Sequence, residues 1–209
     1  SSGNYSNKME IAYRTLLKDE YWPTTVPLLC EALLKPEHRD IFAACAIITE
    51  VIRGRDHAKL VQARLLVPFI VKASERVTDP EDLQAMCQIL SFTAERRAVP
   101  RLIDLLASGP KDVQADAKTA LSDITLMSEA SVTPESAQRW WDTYHAASDE
   151  RVYGESLRSN DLGTVVKAAD RLTPKGWKLA IPALIRVIRD GDSRTIWAAD
   201  DLLQRLTGS

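Results

Sequence analysis

Residues 97–106 read RAVPRLIDLL, in which one proline stands at the head of a strongly apolar stripe. The same cadence occurs in TVPLLCEAL (25–33), LVPFIVKAS (66–74) and AIPALIRVI (180–188). A proline inside a helix costs about 3 kcal/mol, whereas in the first turn its missing N–H has no helical partner to lose. The stretches therefore predict four helix starts, at Pro27, Pro68, Pro100 and Pro182.

The apolar residues after two of these prolines have the i, i+3, i+4, i+7 spacing of a buried helix face. They are Val99, Leu102, Ile103 and Leu106 in one stretch and Ile181, Leu184, Ile185 and Ile188 in the other. A second helical pattern follows each stretch, with apolar positions at Val113, Ala117, Ala120, Leu121 and Ile124, and at Thr195, Ala199, Leu202, Leu203 and Leu206.

Both patterns recur at one offset, because Pro100 and Pro182 are 82 residues apart and so are the two following helices. Helix pairs that repeat at such a period indicate an α-solenoid. We predict an all-α fold, an α-α superhelix of about four to five helix pairs. It forms a single domain over residues 1–209, in which residues 1–7 are a tag or flexible start and 126–161 are a Trp-containing helical insertion without the repeat.

Composition and charge are those of an ordinary globular protein. Of the 209 residues, 45% are hydrophobic and 27% are charged, and the formal net charge is −2, without the basic excess of a general polyanion binder. Cys30, Cys45 and Cys87 are odd in number, lack CxxC spacing and are expected to be buried hydrophobic residues. Reduced thiols favour the cytoplasm, and an exported form stays open.

At this point the residues resemble a known family. Asp112, Val113, Ala117, Ala120 and Leu121 are similar to the first helix of bacterial HEAT repeats of the PBS-lyase HEAT-like (armadillo-type) kind. The second helix is matched by Val99, Pro100, Leu102, Ile103, Leu105 and Leu106. The segment with Trp140 and Trp141 is similar to a Trp-rich tail of such proteins, in which glycine is expected where Leu126 stands.

The resemblance implies a curved stack of antiparallel helix pairs whose proline-started helices line the concave side. It implies binding of a protein or peptide by a scaffold rather than any reaction. We therefore expect no enzyme activity, no cofactor and no metal. The three histidines, His38, His57 and His145, lack metal-ligand spacing, and phosphate-loop and nucleophile-elbow motifs are missing.

Charged and aromatic residues near the prolines give the candidate partner-binding set on the concave face. The set is Phe69, Lys72, Arg101, Asp104, Arg186 and Arg189. Reversing the charges of Arg101 and Arg186 is expected to weaken partner capture without changing the melting temperature. Trp140, Trp141 and Tyr144 either pack the insertion or form an aromatic platform for a ligand, because adjacent tryptophans cannot both face one core.

An alternative is nucleic-acid binding similar to that of HEAT-like alkylpurine DNA glycosylases, through the basic segment 162–189. That segment holds six basic residues against Asp170, a net charge of +5: Lys167, Arg171, Lys175, Lys178, Arg186 and Arg189. A third hypothesis, a cofactor lyase or chaperone, rests only on the family resemblance. The sequence predicts no membrane span, and a monomer or a weak dimer through an apolar edge of the C-terminal helix.

Overall fold

The computed structural model of the protein describes residues 22–35, 37–53, 63–172 and 176–207. The chain divides into two compact units, Ser1–Gln138 and Arg139–Ser209. The prediction of a single domain over residues 1–209 is not decided by this division and stays a prediction. Residues 1–7, His57, Lys175 and Gly208 lie outside the described residues.

The first unit is built of α-helices with short connections. Its helices are α1 (Trp22–Leu34), α2 (His38–Arg53), α3 (Val67–Ser74), α4 (Pro80–Thr93), α5 (Val99–Ser108) and α6 (Lys111–Thr125). Single 3-10 turns, Arg64–Leu66 and Arg96–Ala98, lead directly into α3 and α5, and a third follows α6 at Glu129–Ser131. Helix α7 (Pro134–Tyr144) contains the division between the units.

Helices of the first unit pack on two kinds of neighbour. Consecutive helices pack as pairs, α1 on α2, α3 on α4 and α5 on α6. Helices two apart in chain order also pack, α1 on α3, α2 on α4 and α4 on α6. Side chains join α4 to α6 at equal sequence separations, since Gln84 donates to Asp116 over 3.0 Å and Ser91 donates to Asp123 over 2.6 Å.

The second unit is also helical. It contains α8 (Asp149–Tyr153), a 3-10 turn (Ser156–Arg158), α9 (Leu162–Arg171), α10 (Trp177–Asp190) and α11 (Ser193–Thr207). Helix α9 packs against α8, α10 and α11, and α10 packs against α11. In the described ranges of both units there is no β-strand, so the all-α class is confirmed. The superhelical arrangement stays a prediction.

Two of the four proline predictions are confirmed and two are wrong. Pro68 and Pro100 are each the second residue of their helix, α3 and α5. Pro27 and Pro182 instead lie inside α1 and α10, five residues after the first helical residue in both cases (27 − 22 and 182 − 177). A proline so near the start of a helix deletes only one hydrogen bond, in the second turn. The upstream turn can therefore remain helical.

The repeat at an offset of 82 residues has a structural counterpart. Helix α6 spans 111–125 and α11 spans 193–207, so both ends differ by 82. The connections before them correspond too, because Gly109 and Gly191 follow the last residue of α5 and of α10. Each glycine N–H donates to the carbonyl four residues earlier, on Leu105 over 2.9 Å and on Val187 over 2.8 Å. The same helix–glycine–helix hairpin is thus present once in each unit.

The predicted apolar faces are buried to different degrees in the two copies. All five predicted positions of α6 are fully buried, whereas in α11 only Ala199 and Leu202 are buried. In α10 the prediction for Ile185 is wrong, since this residue is 57% exposed. Fewer helices cover this copy, because α11 packs on α9 and α10 alone among its described neighbours with extensive contact.

Capping residues explain where several helices begin. The Asp79 carboxylate accepts hydrogen bonds from the backbone N–H groups of Glu81 and Asp82, with Pro80 as the first residue of α4. Thr133 caps α7 in the predicted way, since its Oγ1 accepts from the backbone N–H of Ser136. Both interactions satisfy N–H groups that a helix start leaves without a partner.

Two helices end at a residue in the left-handed region that is not glycine. Ala94 has φ of 47° after α4, and Leu126 has φ of 60° after α6. Glycine is the residue that adopts this conformation without steric cost, and the family pattern expects glycine where Leu126 stands. The backbone therefore makes the turn that the pattern predicts, with a side chain that strains it.

The cysteine prediction is confirmed for Cys45 and Cys87, which are buried free thiols, but Cys30 is only half-buried. Burial raises the pKa of both buried thiols to about 12, helped by the negative charges of Asp82 and Asp116. The pKa of Cys30 is also raised by burial.

We expect a disulfide exchange reagent at pH 8 to modify Cys30 in the native protein and to leave Cys45 and Cys87 unmodified. With a pKa of about 12, only about one buried thiol in ten thousand is a thiolate at that pH. Counting the thiols that react before and after addition of denaturant measures the difference, and Cys30→Ser should abolish the native reaction. Rapid reaction of more than one thiol in the native protein would contradict the burial of the other two.

Candidate functional site

The predicted partner-binding residues of the first unit lie on α3 and α5. Lys72 and Asp104, each four residues after a proline, are exposed. Phe69 and Arg101, each one residue after a proline, are half-buried. On α1 the corresponding residues are Leu28, which is 59% exposed, and the exposed Glu31. Equivalent positions thus present charged and apolar side chains on three helices of the same unit.

Arg101 is bonded within the chain rather than free for a partner. Its Nε donates to Ser74 Oγ over 3.0 Å and its Nη2 donates to the Ser74 carbonyl. Ser74 is fully buried and is the last residue of α3, where a helix leaves carbonyl groups without donors. Arg101 therefore ties the start of α5 to the end of α3.

Arg186 has a comparable role in the second unit. Its Nη2 donates to the carbonyls of Leu157 and Ser159, over 3.0 and 2.8 Å, at the end of a 3-10 turn. Arg189, by contrast, is exposed and pairs with its neighbour Asp190 over 2.7 Å. Because Arg101 and Arg186 both hold backbone carbonyls, we now expect reversal of their charges to lower the melting temperature, contrary to the sequence-based expectation.

The same bonding pattern includes two arginines that sequence reasoning did not select. Arg76 donates to the carbonyls of Leu33 and Leu34 at the end of α1, over 3.0 and 2.9 Å. Arg64 donates to the carbonyl of Thr93, the last residue of α4, over 3.2 Å. A guanidinium group suits this position because it offers several donors and a positive charge to the negative end of a helix. These contacts are structural rather than binding contacts.

The predicted aromatic platform is divided between a buried and a more open part. Trp140 is only 9% exposed, with its ring centroid 5.5 Å from that of Tyr144. Trp141 is half-buried and lies 5.4 Å from the ring of His145, whose Nδ1 is 3.0 Å from the Trp141 carbonyl. The adjacent tryptophans point to different surroundings, as predicted, and Trp140 offers little surface to a ligand.

The basic segment 162–189 is largely engaged by the chain itself. Arg171 pairs with Asp170 over 3.2 Å, Arg189 pairs with Asp190, and Arg186 holds backbone carbonyls. Among the described residues, Lys178 is exposed. Guanidinium groups already paired in this way contribute less to phosphate binding than free ones, because a phosphate would have to compete with the present acceptors.

Sequence reasoning missed one cluster of polar residues at the first turns of α2 and α4. His38 is the first residue of α2, and its Nδ1 lies 2.5 Å from Oδ2 of Asp82. Asp82 is 1% exposed, whereas the His38 side chain is 58% exposed. The hydrogen bond to Asp82 and the negative charges of Asp82, Asp79 and Glu81 raise the pKa of His38 above its ordinary value.

Comparisons with known proteins were made against family models, curated proteins and solved structures. None of the three gives a match to this chain. The resemblance to HEAT repeats therefore rests on the quoted residues alone and stays a prediction. Within the described residues, no helix is both long enough and apolar enough to cross a lipid bilayer.

Proposed function

We propose that the protein is a non-catalytic scaffold of the HEAT-repeat type that binds a protein or peptide partner. In this proposal the helix pairs stack as a solenoid, and the binding surface of the first unit is the outer face of α1, α3 and α5. We call this surface the proline-helix face. It comprises Leu28, Glu31, Phe69, Lys72 and Asp104.

The observation that carries the proposal is the placement of equivalent exposed residues on neighbouring helices. Helix α1 packs on α3, and the two hydrogen bonds from Arg101 to Ser74 join α3 to α5. Glu31, Lys72 and Asp104 occupy the same position relative to their prolines, and all three are exposed. A row of this kind has a fixed spacing because each member stands on a packed helix.

Such a face favours one partner over others through charge and shape. The row alternates in sign, from Glu31 to Lys72 to Asp104, with the exposed Leu28 at its α1 end. Complementary charges favour the correct partner and repel wrong ones, whereas a nucleic-acid track needs one positive sign throughout. Because the helices are already packed, little conformational entropy is lost when the partner binds.

Exchange of the two central charges tests the proposal. Peptides are selected from a displayed random library on the wild-type protein, and their affinities are measured for Lys72→Glu/Asp104→Lys. We expect this variant to lose affinity by at least about tenfold, because each reversed charge faces a like charge in the selected ligand. Its net charge is unchanged, so a general electrostatic effect is excluded.

The matched control is Glu155→Lys/Arg158→Glu, a second exchange of one exposed acidic and one exposed basic residue, placed in the other unit. Its affinity should stay within about twofold of the wild type, since neither residue belongs to the proline-helix face. A library that yields no binder, or equal losses in both variants, would contradict the proposed face. Salt-sensitive binding to duplex DNA would instead favour the nucleic-acid alternative, which the engaged arginines of 162–189 do not support.

A further inference from the structure

We propose that His38, Asp79 and Asp82 form a site for one divalent transition-metal ion, with Zn²⁺ the best-suited ion. The site would join the first turns of α2 and α4 and is independent of the proline-helix face. One ligand atom from each of the three residues lies within 4.8 Å of the others. The sequence predicted no metal, because the histidine and the carboxylates are separated by more than 40 residues.

The second observation behind the site is the state of the Asp82 carboxylate. Its Oδ2 lies at His38 Nδ1, so the carboxylate points into the cluster, while its Oδ1 is buried without a hydrogen-bond donor. A buried polar atom without a partner is unfavourable by about 1–3 kcal/mol, and more when it carries charge. A cation that contacts both oxygens would remove this penalty. The hydrogen bond to His38 satisfies only one of them.

Asp79 can contribute one oxygen without giving up its structural role. Its Oδ1 accepts the capping hydrogen bonds from the backbone of Glu81 and Asp82, which leaves Oδ2 for a metal ion. The partial positive charges of the α2 and α4 N-termini oppose cation binding. The two ligand carboxylates, with Glu81 in the same turn, outweigh them and leave the site negative.

The ligand set identifies the class of metal. One imidazole nitrogen with two carboxylates is a set that suits Zn²⁺ and its neighbours, whereas Ca²⁺ and Mg²⁺ prefer oxygen alone. Ligand atoms bound to tetrahedral Zn²⁺ are separated by roughly 3.4 Å, given bonds of about 2.1 Å. The present separation of 2.5 Å between His38 and Asp82 must therefore widen by about 1 Å as the metal displaces the shared proton. The exposed His38 side chain can make that movement, and a water molecule would complete the coordination.

The test uses the untagged full chain and Zn²⁺ in competition with a chromophoric chelator, followed by Co²⁺ and its visible absorption. We expect one metal ion per chain and a Co²⁺ spectrum of low coordination number. His38→Ala and Asp82→Asn should each weaken binding more than about tenfold. Asp79→Asn should weaken it too while keeping the cap, because asparagine caps helices as well as aspartate does.

Two control variants make the result specific. His145→Ala removes another exposed histidine, and Asp116→Asn removes another carboxylate that bonds two neighbouring helices. Both should bind the metal as the wild type does, and circular dichroism establishes that every variant is folded. If Asp82→Asn does not fold, His38→Ala and Asp79→Asn decide the question. Failure to bind one metal ion, or equal affinity in the ligand variants and the controls, would overturn the site without affecting the proposed partner face.

Discussion

Replacing Arg101 with alanine is expected to lower the free energy of unfolding by about 2–4 kcal/mol. The guanidinium group donates to the hydroxyl and to the carbonyl of Ser74, a fully buried residue at the end of α3. Hydrogen bonds from a charged donor contribute more than neutral ones, and their loss leaves buried acceptors without partners. Denaturation by urea, followed by circular dichroism, measures the change.

Arg97→Ala is the matched control, because Arg97 is an exposed arginine whose partner is the nearby Glu95, at 3.3 Å. Exposed ion pairs contribute about 0–1 kcal/mol, so this variant should unfold close to the wild type. Arg101→Lys should fall between the two, since a lysine keeps the charge but loses the planar arrangement of donors. Equal stability of the Arg101 and Arg97 alanine variants would show that the contacts to Ser74 contribute nothing.

Alanine at Gly109 or Gly191 is expected to destabilise the protein by about 1–3 kcal/mol. A Cβ at Gly109 would lie 2.5 Å from the Leu105 carbonyl oxygen, and one at Gly191 would lie 2.5 Å from the Val187 carbonyl oxygen. The opposing atoms belong to the backbone of the preceding helix, so they cannot move aside without breaking its last turn. Urea denaturation of each single variant measures the loss.

Gly163→Ala serves as the control for both glycine variants. There a Cβ would meet only Asp161 Oδ1, at 3.4 Å, near the start of α9. Alanine restricts the unfolded chain more than glycine does, so this variant should be as stable as the wild type or more stable by up to about 1 kcal/mol. If Gly109→Ala were equally harmless, the close approach in the hairpin would not constrain the residue.

The parts of the fold that sequence patterns predicted are those that depend on local chemistry. The face of α6 follows from a 3.6-residue period, and the ends of α4 and α7 follow from caps at Asp79 and Thr133. The starts of α1 and α10 were wrong because a proline marks a missing N–H, not the number of helical residues before it. Whether an earlier turn forms depends on what it packs against, which is not a local property.

The candidate sites depended on contacts that no spacing rule contains. Arg101 and Arg186 were expected on the surface because charge usually marks exposure, yet their long side chains reach carbonyls at the ends of preceding segments. His38 and Asp82 come together only because α2 packs on α4 with their first turns adjacent. Alignment of the helix starts in the repeat is the one sequence signal that could have placed them side by side.

The left-handed residues that end α4 and α6 have an evolutionary consequence. Ala94 and Leu126 each hold a conformation that costs an L-amino acid about 1–2 kcal/mol relative to glycine. A single substitution to glycine at either position would recover part of this amount. The fold therefore has unused stability within one mutational step, which could offset the cost of new side chains on its exposed surfaces.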